Sequence, residues 1–271
     1  MTQIPTLGDV VAVVHRRYDP ATAEDWDAVG LVCGDPAAPV RRILVALDPV
    51  APTVDEALGL GADLLLTHHP LLLRPVSSVA ATTPAGTLVH RLVSGGCALL
   101  AAHTNADVAR EGVSDDLAAA LGLTVVGPLV PGADGTTGLG RIGTIEPTTL
   151  EAFAAHVAAS LPATAHGVRV QGDASRRVAR VAVIGGSGGD ALGDAAAAGV
   201  DVVVTSDLKH HVALDHLATG GPALVDVAHF ASEWPWVPAY ASVLHRDLLA
   251  AGYDVDVQYS SLVTDPWTSR A

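Results

Sequence analysis

Apolar runs alternate with amphipathic stretches along most of the chain, a pattern typical of strands and helices in β-α-β order. Short continuous apolar runs indicate buried strands, and apolar residues spaced three or four apart indicate helices that pack one face on a sheet. Ser114 precedes one helical pattern, where its hydroxyl can accept a backbone N–H as an N-cap. The predicted strands span residues 43–47, 63–67 and 97–102, and the predicted helices span 7–17, 52–60, 88–93 and 114–121.

The middle of the chain is less regular. Residues 127–140 contain Pro128, Pro131 and five glycines, so this stretch is expected to be a loop or a domain boundary. A strand is predicted at 141–145, and Thr148-Thr-Leu-Glu151 has the capping-box pattern that opens a helix. From residue 178 the alternation of strands and helices resumes and continues through the rest of the sequence.

Two segments of the chain repeat one pattern. Gly61-Ala-Asp-Leu-Leu-Leu-Thr67 matches Gly199-Val-Asp-Val-Val-Val-Thr205, and each follows a predicted strand and helix. The next strands also end alike, at His103 and His229, with one extra residue in the second. We therefore predict two similar α/β halves, 1–125 and 176–271, joined by a connecting segment at 126–175. Because open α/β sheets bind ligands beyond the carboxyl ends of their strands, the halves are expected to share one central cleft.

Composition narrows the class of protein. The 271 residues are 49% hydrophobic and 16% charged, which suffices for one large α/β domain or two smaller ones. The formal net charge of −14 argues against nucleic acid as a partner, since such partners require a basic face. Cys33 and Cys97 have no ligand-like spacing and are expected to be reduced. No segment resembles a signal peptide or an apolar span of roughly 18–20 residues, so a soluble, cytoplasmic protein without membrane association is expected.

Two adjacent histidines follow the predicted strand at 63–67. His68 and His69 would point to opposite faces on an extended strand, but Pro70 fixes a turn beyond the strand end, so both imidazoles can converge. This arrangement is typical of metal ligands. The alternative is a pair of structural or surface histidines.

Two further histidines each stand four residues before a carboxylate. His103 precedes Asp107, and His229 precedes Glu233, a spacing that brings both side chains to one face of a helical segment. Both pairs follow predicted strands, as the adjacent histidines do. Together the three segments predict one composite site large enough for two divalent ions, and mixed imidazole and carboxylate ligands suit Zn, Mn, Fe or Ni.

Seven short motifs occur in order along nearly the whole chain. They are Asp25-Trp-Asp-Ala-Val-Gly-Leu31, Thr67-His-His-Pro70, His103-Thr-Asn-Ala-Asp107, Gly185-Gly-Ser-Gly-Gly189, Ser206-Asp-Leu-Lys-His-His211, Asp226-Val-Ala-His-Phe-Ala-Ser-Glu233 and Thr264-Asp-Pro-Trp267. This ordered set resembles the NIF-three-like family, whose members carry the name GTP cyclohydrolase 1 type 2 homologue.

The resemblance implies a fold, an assembly and a ligand set. The fold is two similar α/β halves, and the assembly is a ring-like homohexamer with metal sites facing an internal cavity. The segment 124–175 is too short for the domain that some members insert between the halves. The implied ligands of a dinuclear metal centre are His68, His69, Asp107, His229 and Glu233, with His103 as a neighbour or additional ligand.

Other motifs leave two interpretations open. Gly185–Gly189 follows a predicted strand, and its N–H groups either cradle a phosphate or form a tight β-α turn. Ser206, Asp207, Lys209 and His210 either line a substrate pocket, with Lys209 countering a phosphate, or cap a helix through Ser206 or Asp207. Trp26 and Trp234 flank these segments and are expected to be packing residues.

The predicted ligands favour a metal-dependent hydrolase that uses no side-chain nucleophile. The expected substrate is a small nucleotide-like or phosphorylated metabolite, and no residue specifies a guanine. The alternative is a non-enzymatic metal-binding or regulatory protein.

Overall fold

The computed structural model describes residues 3–271, and these form two compact units. The first unit consists of the described residues up to Ala106 together with Val237–Thr264, and the second consists of Asp107–Trp236 together with Asp265–Ala271. The units are interleaved along the sequence, whereas the predicted ranges 1–125, 126–175 and 176–271 are successive. The difference arises because strand pairing joins segments that lie far apart in the chain.

Eleven strands and ten α-helices occur in the described part of the chain. The helices are α1 (Leu7–Arg17), α2 (Ala51–Leu60), α3 (Pro84–Ser94), α4 (Thr104–Val108), α5 (Val113–Ala120), α6 (Leu150–Ser160), α7 (Leu192–Ala197), α8 (His210–Ala218), α9 (His229–Glu233) and α10 (Trp236–Ala250). The strands are β1 (Gly30–Cys33), β2 (Arg42–Ala46), β3 (Leu64–Thr67), β4 (Ala98–Ala101), β5 (Thr124–Pro131), β6 (Gly138–Thr149), β7 (Arg169–Gln171), β8 (Arg177–Ser187), β9 (Val202–Ser206), β10 (Ala223–Val227) and β11 (Asp256–Tyr259). No helix among residues 3–271 is both long and apolar enough to cross a membrane.

The first unit is built on a sheet with strand order β1-β4-β3-β2-β11. The strands β11, β2, β3 and β4 pair in parallel, and β1 lies antiparallel to β4 at the edge. Leu64, Leu65 and Leu66 of β3 are fully buried, as expected of a central strand that is covered on both faces. Val257 of β11 pairs with Ile43 of β2, so a late segment of the chain completes this sheet.

The second unit is built on a sheet with strand order β5-β6-β8-β9-β10-β7. The central strands β8, β9 and β10 are parallel, whereas β5, β6 and β7 pair antiparallel with their neighbours. Alternate residues of β9 pack on opposite faces, so that Val202 and Val204 enter one core and Val203 enters another. The sheet is therefore covered by helices on both sides.

The repeated segments occupy equivalent places in the two sheets. Thr67 belongs to β3 and Thr205 to β9, and each of these strands lies between two parallel neighbours, β3 between β2 and β4 and β9 between β8 and β10. The register also matches, since Leu64 pairs with Ala98 as Val202 pairs with Ala223. In each unit a short antiparallel strand closes the edge beside the third strand, β1 beside β4 and β7 beside β10.

The loop or boundary predicted at 127–140 is wrong. Most of this segment belongs to the antiparallel strands β5 and β6, and a turn connects them. Pro128 and Pro131 are tolerated because β5 is the edge strand of its sheet, where a missing N–H need not break the pairing. Gly135 has a φ of +69° in the turn, a conformation that glycine adopts without strain.

Two predicted helix caps also differ from the structure. The helix α5 begins after Gly112, whose N–H donates to Asp115, while Ser114 accepts a hydrogen bond from the Gly185 N–H at 3.2 Å instead of capping the helix. The cap of α6 is Thr149, which accepts from the Ala152 N–H at 3.2 Å, rather than Thr148. The cap of α5 therefore lies two residues before the predicted one, and the cap of α6 lies one residue after the predicted one.

Candidate metal centre

The two adjacent histidines of the first unit follow β3 without a break in pairing. The N–H of His68 donates to Ala46, and the N–H of His69 donates to Leu47, so both residues extend the pairing of β3 with β2. The Thr67 hydroxyl donates to the carbonyl of His69 at 2.8 Å and helps to hold the bend. The two ring centroids lie 5.0 Å apart, so the imidazoles converge despite their adjacency.

His103 completes a cluster of three imidazoles in the first unit. It follows β4, the neighbour of β3, and its ring centroid lies 5.1 Å from that of His68 and 5.5 Å from that of His69. One ring nitrogen from each of the three histidines lies within 4.8 Å of the others. This spacing would allow one small ion to contact all three residues.

Asp27 holds His103 in place. Its Oδ1 accepts a hydrogen bond from Nδ1 of His103 at 2.8 Å, and its Oδ2 accepts from the N–H and the hydroxyl of Thr104. Burial by itself raises the pKa of Asp27, but the hydrogen bonds from Thr104 and His103 outweigh that effect and hold the pKa below its usual range. Asp27 is therefore ionised at neutral pH and available as an acceptor.

Asp48 supports His69 in the same way. The Nδ1–H of His69 donates to Asp48 Oδ1 at 2.7 Å, and the hydroxyl of Thr264 donates to Asp48 Oδ2. Thr264 belongs to the last motif of the sequence and reaches this carboxylate from the end of the first unit. A late motif thus fixes the orientation of an early histidine.

The second unit contributes an imidazole and a carboxylate on the short helix α9. His229 begins the helix and Glu233 ends it, and His229 Nε2 lies 3.0 Å from Glu233 Oε1. The Nδ1–H of His229 donates to Asp207 Oδ2 at 2.7 Å. Asp207 itself has a φ of +57°, an uncommon conformation for a residue other than glycine that turns the chain after β9 toward His229.

Gly186 makes room for this pair. It lies where the pairing of β8 with β9 is irregular, and it has a φ of +71°. A Cβ at this position would lie 2.4 Å from Glu233 Oε1 and 3.3 Å from Cε1 of His229. Irregular strand pairing of this kind is common beside active sites, where it redirects the chain.

The glycine-rich motif is engaged within the second unit. The Gly186 N–H donates to Ser232 Oγ at 2.9 Å, and the Gly185 N–H donates to Ser114. Two of the N–H groups that a phosphate would need are therefore already used. This part of the motif therefore acts in packing: Gly186 lies against Glu233, where a side chain would not fit.

The four candidate histidines share one feature. Each uses Nδ1 to donate to a carboxylate or a carbonyl, so that the neutral ring carries its lone pair on Nε2. Metal-binding histidines in proteins are commonly oriented by such partners. The acceptors are Ala102 O for His68, Asp48 for His69, Asp27 for His103 and Asp207 for His229.

The remaining predicted residues lie in several environments. Asp107 lies in α4, one turn beyond His103 in sequence. Ser206 is fully buried, and among the described residues its Oγ has no hydrogen-bond partner. Lys209 stands before α8 and makes no side-chain cap, so neither Ser206 nor Asp207 caps that helix. His210 lines a cavity of about 230 Å³ beside Arg169 and Asp226.

Sequence reasoning missed the residues that orient the candidate ligands. Asp27 and Thr264 lie inside quoted motifs, so the motifs themselves were the available signal. Gly186 also lies inside a quoted motif, whereas Asp48 lies in none and its partner His69 is distant in sequence. Trp26 was expected to pack, but its side chain is 59% exposed beside His103.

Comparison with known proteins adds a family. The sequence profile of the family described as Duf34/NIF3 (NGG1p interacting factor 3) matches residues 5–266. A Streptomyces coelicolor protein named GTP cyclohydrolase 1 type 2 homolog is 49% identical over 98% of this chain and 95% of its own length. A protein of the same name from Mycobacterium tuberculosis is 36% identical over 96% of each chain.

Solved structures match the fold. A Bacillus cereus protein related to NIF3 has a TM-score of 0.90 and 27% identity, covering 98% of this chain and 99% of that one. The Staphylococcus aureus hypothetical protein SA1388 has a TM-score of 0.91 and 29% identity, covering 99% of this chain and 100% of that one. The α/β fold that the sequence predicts is therefore confirmed.

Proposed function

The chain belongs to the Duf34/NIF3 family, and from this premise we propose that it is a hydrolase that depends on two divalent cations. The proposed substrate is a small nucleotide-like or phosphorylated metabolite. The proposed ligand set is the one that the resemblance to the family implies. The proposed ligands are His68, His69, Asp107, His229 and Glu233, with His103 as an additional ligand or a neighbour.

The contact between His229 and Glu233 carries the proposal. Because Nδ1 of His229 donates to Asp207, the neutral ring directs its Nε2 lone pair toward Glu233 Oε1, 3.0 Å away. Two acceptors at this distance repel each other unless a proton or a cation lies with them. Glu233 is also buried, with 3% of its side chain exposed, and a buried carboxylate needs a compensating charge. A divalent cation would supply it.

The donor set of the first unit supports the same conclusion. Three imidazoles within 4.8 Å of one another suit a borderline transition metal better than Mg²⁺ or Ca²⁺, which prefer oxygen ligands. Asp27 and Asp48 keep two of these rings in one orientation and raise the basicity of the opposite nitrogen. The proposed ions are therefore Zn, Mn, Fe or Ni.

The chemistry needs no nucleophilic side chain. Divalent cations at these residues would supply Lewis-acid catalysis, which polarises a carbonyl or phosphoryl group and activates water. The residues of the chain would bind the cations, fix the orientation of the imidazoles and keep the carboxylates ionised.

The proposed substrate class is broader than GTP, the compound that appears in the name of the relatives. That name, GTP cyclohydrolase 1 type 2 homolog, places GTP first in a substrate panel. Lys209 is the only lysine of a chain with a net charge of −14, and it stands two positions after Asp207, where it would counter a phosphate. Ser206, Asp207 and His210 are the other proposed neighbours of the substrate.

The central experiment combines metal analysis with a substrate screen. The protein is assayed as isolated, after chelation with the metal loss verified, and after addition of Mn or Zn, against nucleotides and phosphoesters. We expect activity to disappear with the metal and to return with it. Hydrolysis that persists in the verified metal-free protein would refute the proposal. Stable metal binding without hydrolysis of any compound would instead favour a regulatory metal-binding protein.

We also propose a closed homo-oligomer, most simply a hexamer, that works in the cytoplasm, where Cys33 and Cys97 would stay reduced. The oligomer rests on the resemblance to the family. Light scattering that shows a monomer at micromolar concentration would exclude it.

A further inference from the structure

Trp26 lies beside the histidine cluster of the first unit and is open to solvent. Its side chain is 59% exposed, whereas Trp236 is fully buried and tryptophan is on average a highly buried residue. The Trp26 ring meets His103 edge to face, with centroids 5.9 Å apart and planes at 79°. A large aromatic surface therefore remains available next to a candidate metal ligand.

The tryptophan is held on a rigid turn. The Asp27 N–H donates to the carbonyl of Glu24 at 2.9 Å and closes a turn around Trp26. On one side of Trp26, the Glu24 N–H donates to Thr104 Oγ1, and on the other, Asp27 accepts from Thr104 and His103. The segment that carries His103 thus fixes the turn at both ends, so little ordering would be needed when a ligand contacts the indole.

We propose that Trp26 is a specificity-determining residue that stacks on a planar aromatic or heteroaromatic ring of the substrate. The inference rests on the proposed function, because the stacked ring lies next to the reacting group only if the reaction takes place at the histidine cluster. It narrows the substrate class from phosphorylated metabolites in general to those that carry such a ring.

The charges around Trp26 favour binding of an uncharged ring of the substrate, rather than its phosphate, at this position. Glu24 and Asp25 precede Trp26 directly, and Asp27 follows it. Three carboxylates would repel an anionic group here, whereas an uncharged ring is not repelled. The anionic part of a substrate is accordingly expected on the side of the metal ligands.

The test compares two probes that differ only in the ring. Adenosine 5′-monophosphate and ribose 5-phosphate share the sugar and the phosphate, and their binding to the Mn²⁺-loaded protein is measured by calorimetry. The variants are Trp26→Leu and Trp26→Phe. The control is Trp267→Leu, which removes another exposed tryptophan, 70% exposed, from the second unit.

We expect the wild type to bind adenosine 5′-monophosphate more tightly than ribose 5-phosphate. Trp26→Leu should weaken the first by roughly tenfold to a hundredfold, the range for removal of one stacked ring, and leave the second unchanged. Trp26→Phe should keep most of the preference, and Trp267→Leu should change neither probe. Equal melting temperatures would exclude a folding defect.

Three results would overturn the inference. The first is a wild type that does not discriminate between the probes, and the second is a Trp26→Leu variant that retains the preference. The third concerns the fluorescence emission of Trp26, which is obtained as the difference between the spectra of the wild type and Trp26→Phe. If this emission is blue-shifted and does not respond to adenosine 5′-monophosphate, a second copy of the chain covers the indole ring.

The outcome is separable from that of the proposed function. Discrimination through Trp26 in a protein that hydrolyses nothing would uphold the stacking and refute the hydrolase. Metal-dependent hydrolysis that is equally efficient for substrates with and without an aromatic ring, in both the wild type and Trp26→Leu, would uphold the hydrolase and refute the stacking.

Discussion

The strands β3 and β9 hold equivalent places in the two units, yet different chemistry follows them. When Thr67 is aligned with Thr205, His68 corresponds to Ser206 and His69 corresponds to Asp207. His69 is a candidate ligand held by a carboxylate, whereas Asp207 is the carboxylate that holds a candidate ligand. The same backbone position therefore carries a candidate ligand in one unit and the support of a different candidate ligand in the other.

A second pair of positions shows the same exchange. With Ile43 aligned to Val181, Asp48 corresponds to Gly186. Asp48 accepts a hydrogen bond from His69, whereas Gly186 has no side chain because Glu233 occupies the space. The duplicated topology thus supplies the strand ends, and the partner of each side chain, rather than its position, defines its role.

The sharpest test removes one candidate ligand from each unit. We expect His69→Ala and Glu233→Ala each to weaken metal binding by more than about a hundredfold, because even removal of a supporting group costs about tenfold to a hundredfold. The measurement is metal content after dialysis, with His90→Ala, an exposed histidine, as the control. If both variants keep the wild-type stoichiometry, the ligand assignment is wrong.

The second test removes, in each unit, a carboxylate that accepts a hydrogen bond from a candidate ligand. Asp27→Ala and Asp207→Ala should each lower metal affinity by about tenfold to a hundredfold. Only Asp27→Ala should also lower the free energy of unfolding, by about 2 kcal/mol, because Thr104 then loses its acceptor, whereas Asp207 is exposed. Equal destabilisation by the two variants in denaturant titrations would contradict the distinction.

The free energy of unfolding should depend on pH through one buried carboxyl group of the second unit. Burial raises the pKa of Asp116 in α5 to about 7, with further contributions from Asp115 and Glu111. The folded state therefore keeps this proton while the unfolded state releases it near pH 4, so the unfolding free energy falls as pH rises from about 4 to about 7. Asp116→Asn should remove most of this dependence. An unchanged pH profile in urea titrations of this variant would count against the burial effect.

The smallest expected effect separates backbone strain from crowding at the site. Gly199 and Gly186 both have positive φ values, but a Cβ at Gly199 meets nothing within 4 Å. Gly199→Ala should cost about 1 kcal/mol through strain alone, and Gly186→Ala should cost about 1 kcal/mol more and weaken metal binding. If the two variants have equal unfolding free energies and Gly186→Ala binds metal as the wild type does, the Glu233 side chain moves away from the added Cβ without cost.

The sequence by itself determined the parallel core and the position of the candidate ligands. Fully apolar runs such as Leu64 to Leu66 have one stable environment, the middle of a covered sheet, so local pattern was sufficient to predict β3 and its neighbours. The same runs predicted His68 and His69 at a strand end, because a polar pair after a buried strand must lie at the edge of the sheet. The pattern failed at β5 and β6, where prolines and glycines are compatible with an edge hairpin as well as with a loop.

Only the tertiary structure decided which residues support the ligands and which chain segments complete each sheet. Thr264 reaches Asp48, and β11 pairs with β2, across most of the chain length. Asp27 meets His103 for the same reason. Such contacts depend on strand order and register, which are set by the packing of whole elements and leave no periodic trace in the sequence. Local hydrophobic spacing therefore fixed the elements, whereas long-range pairing decided what stands beside the candidate ligands.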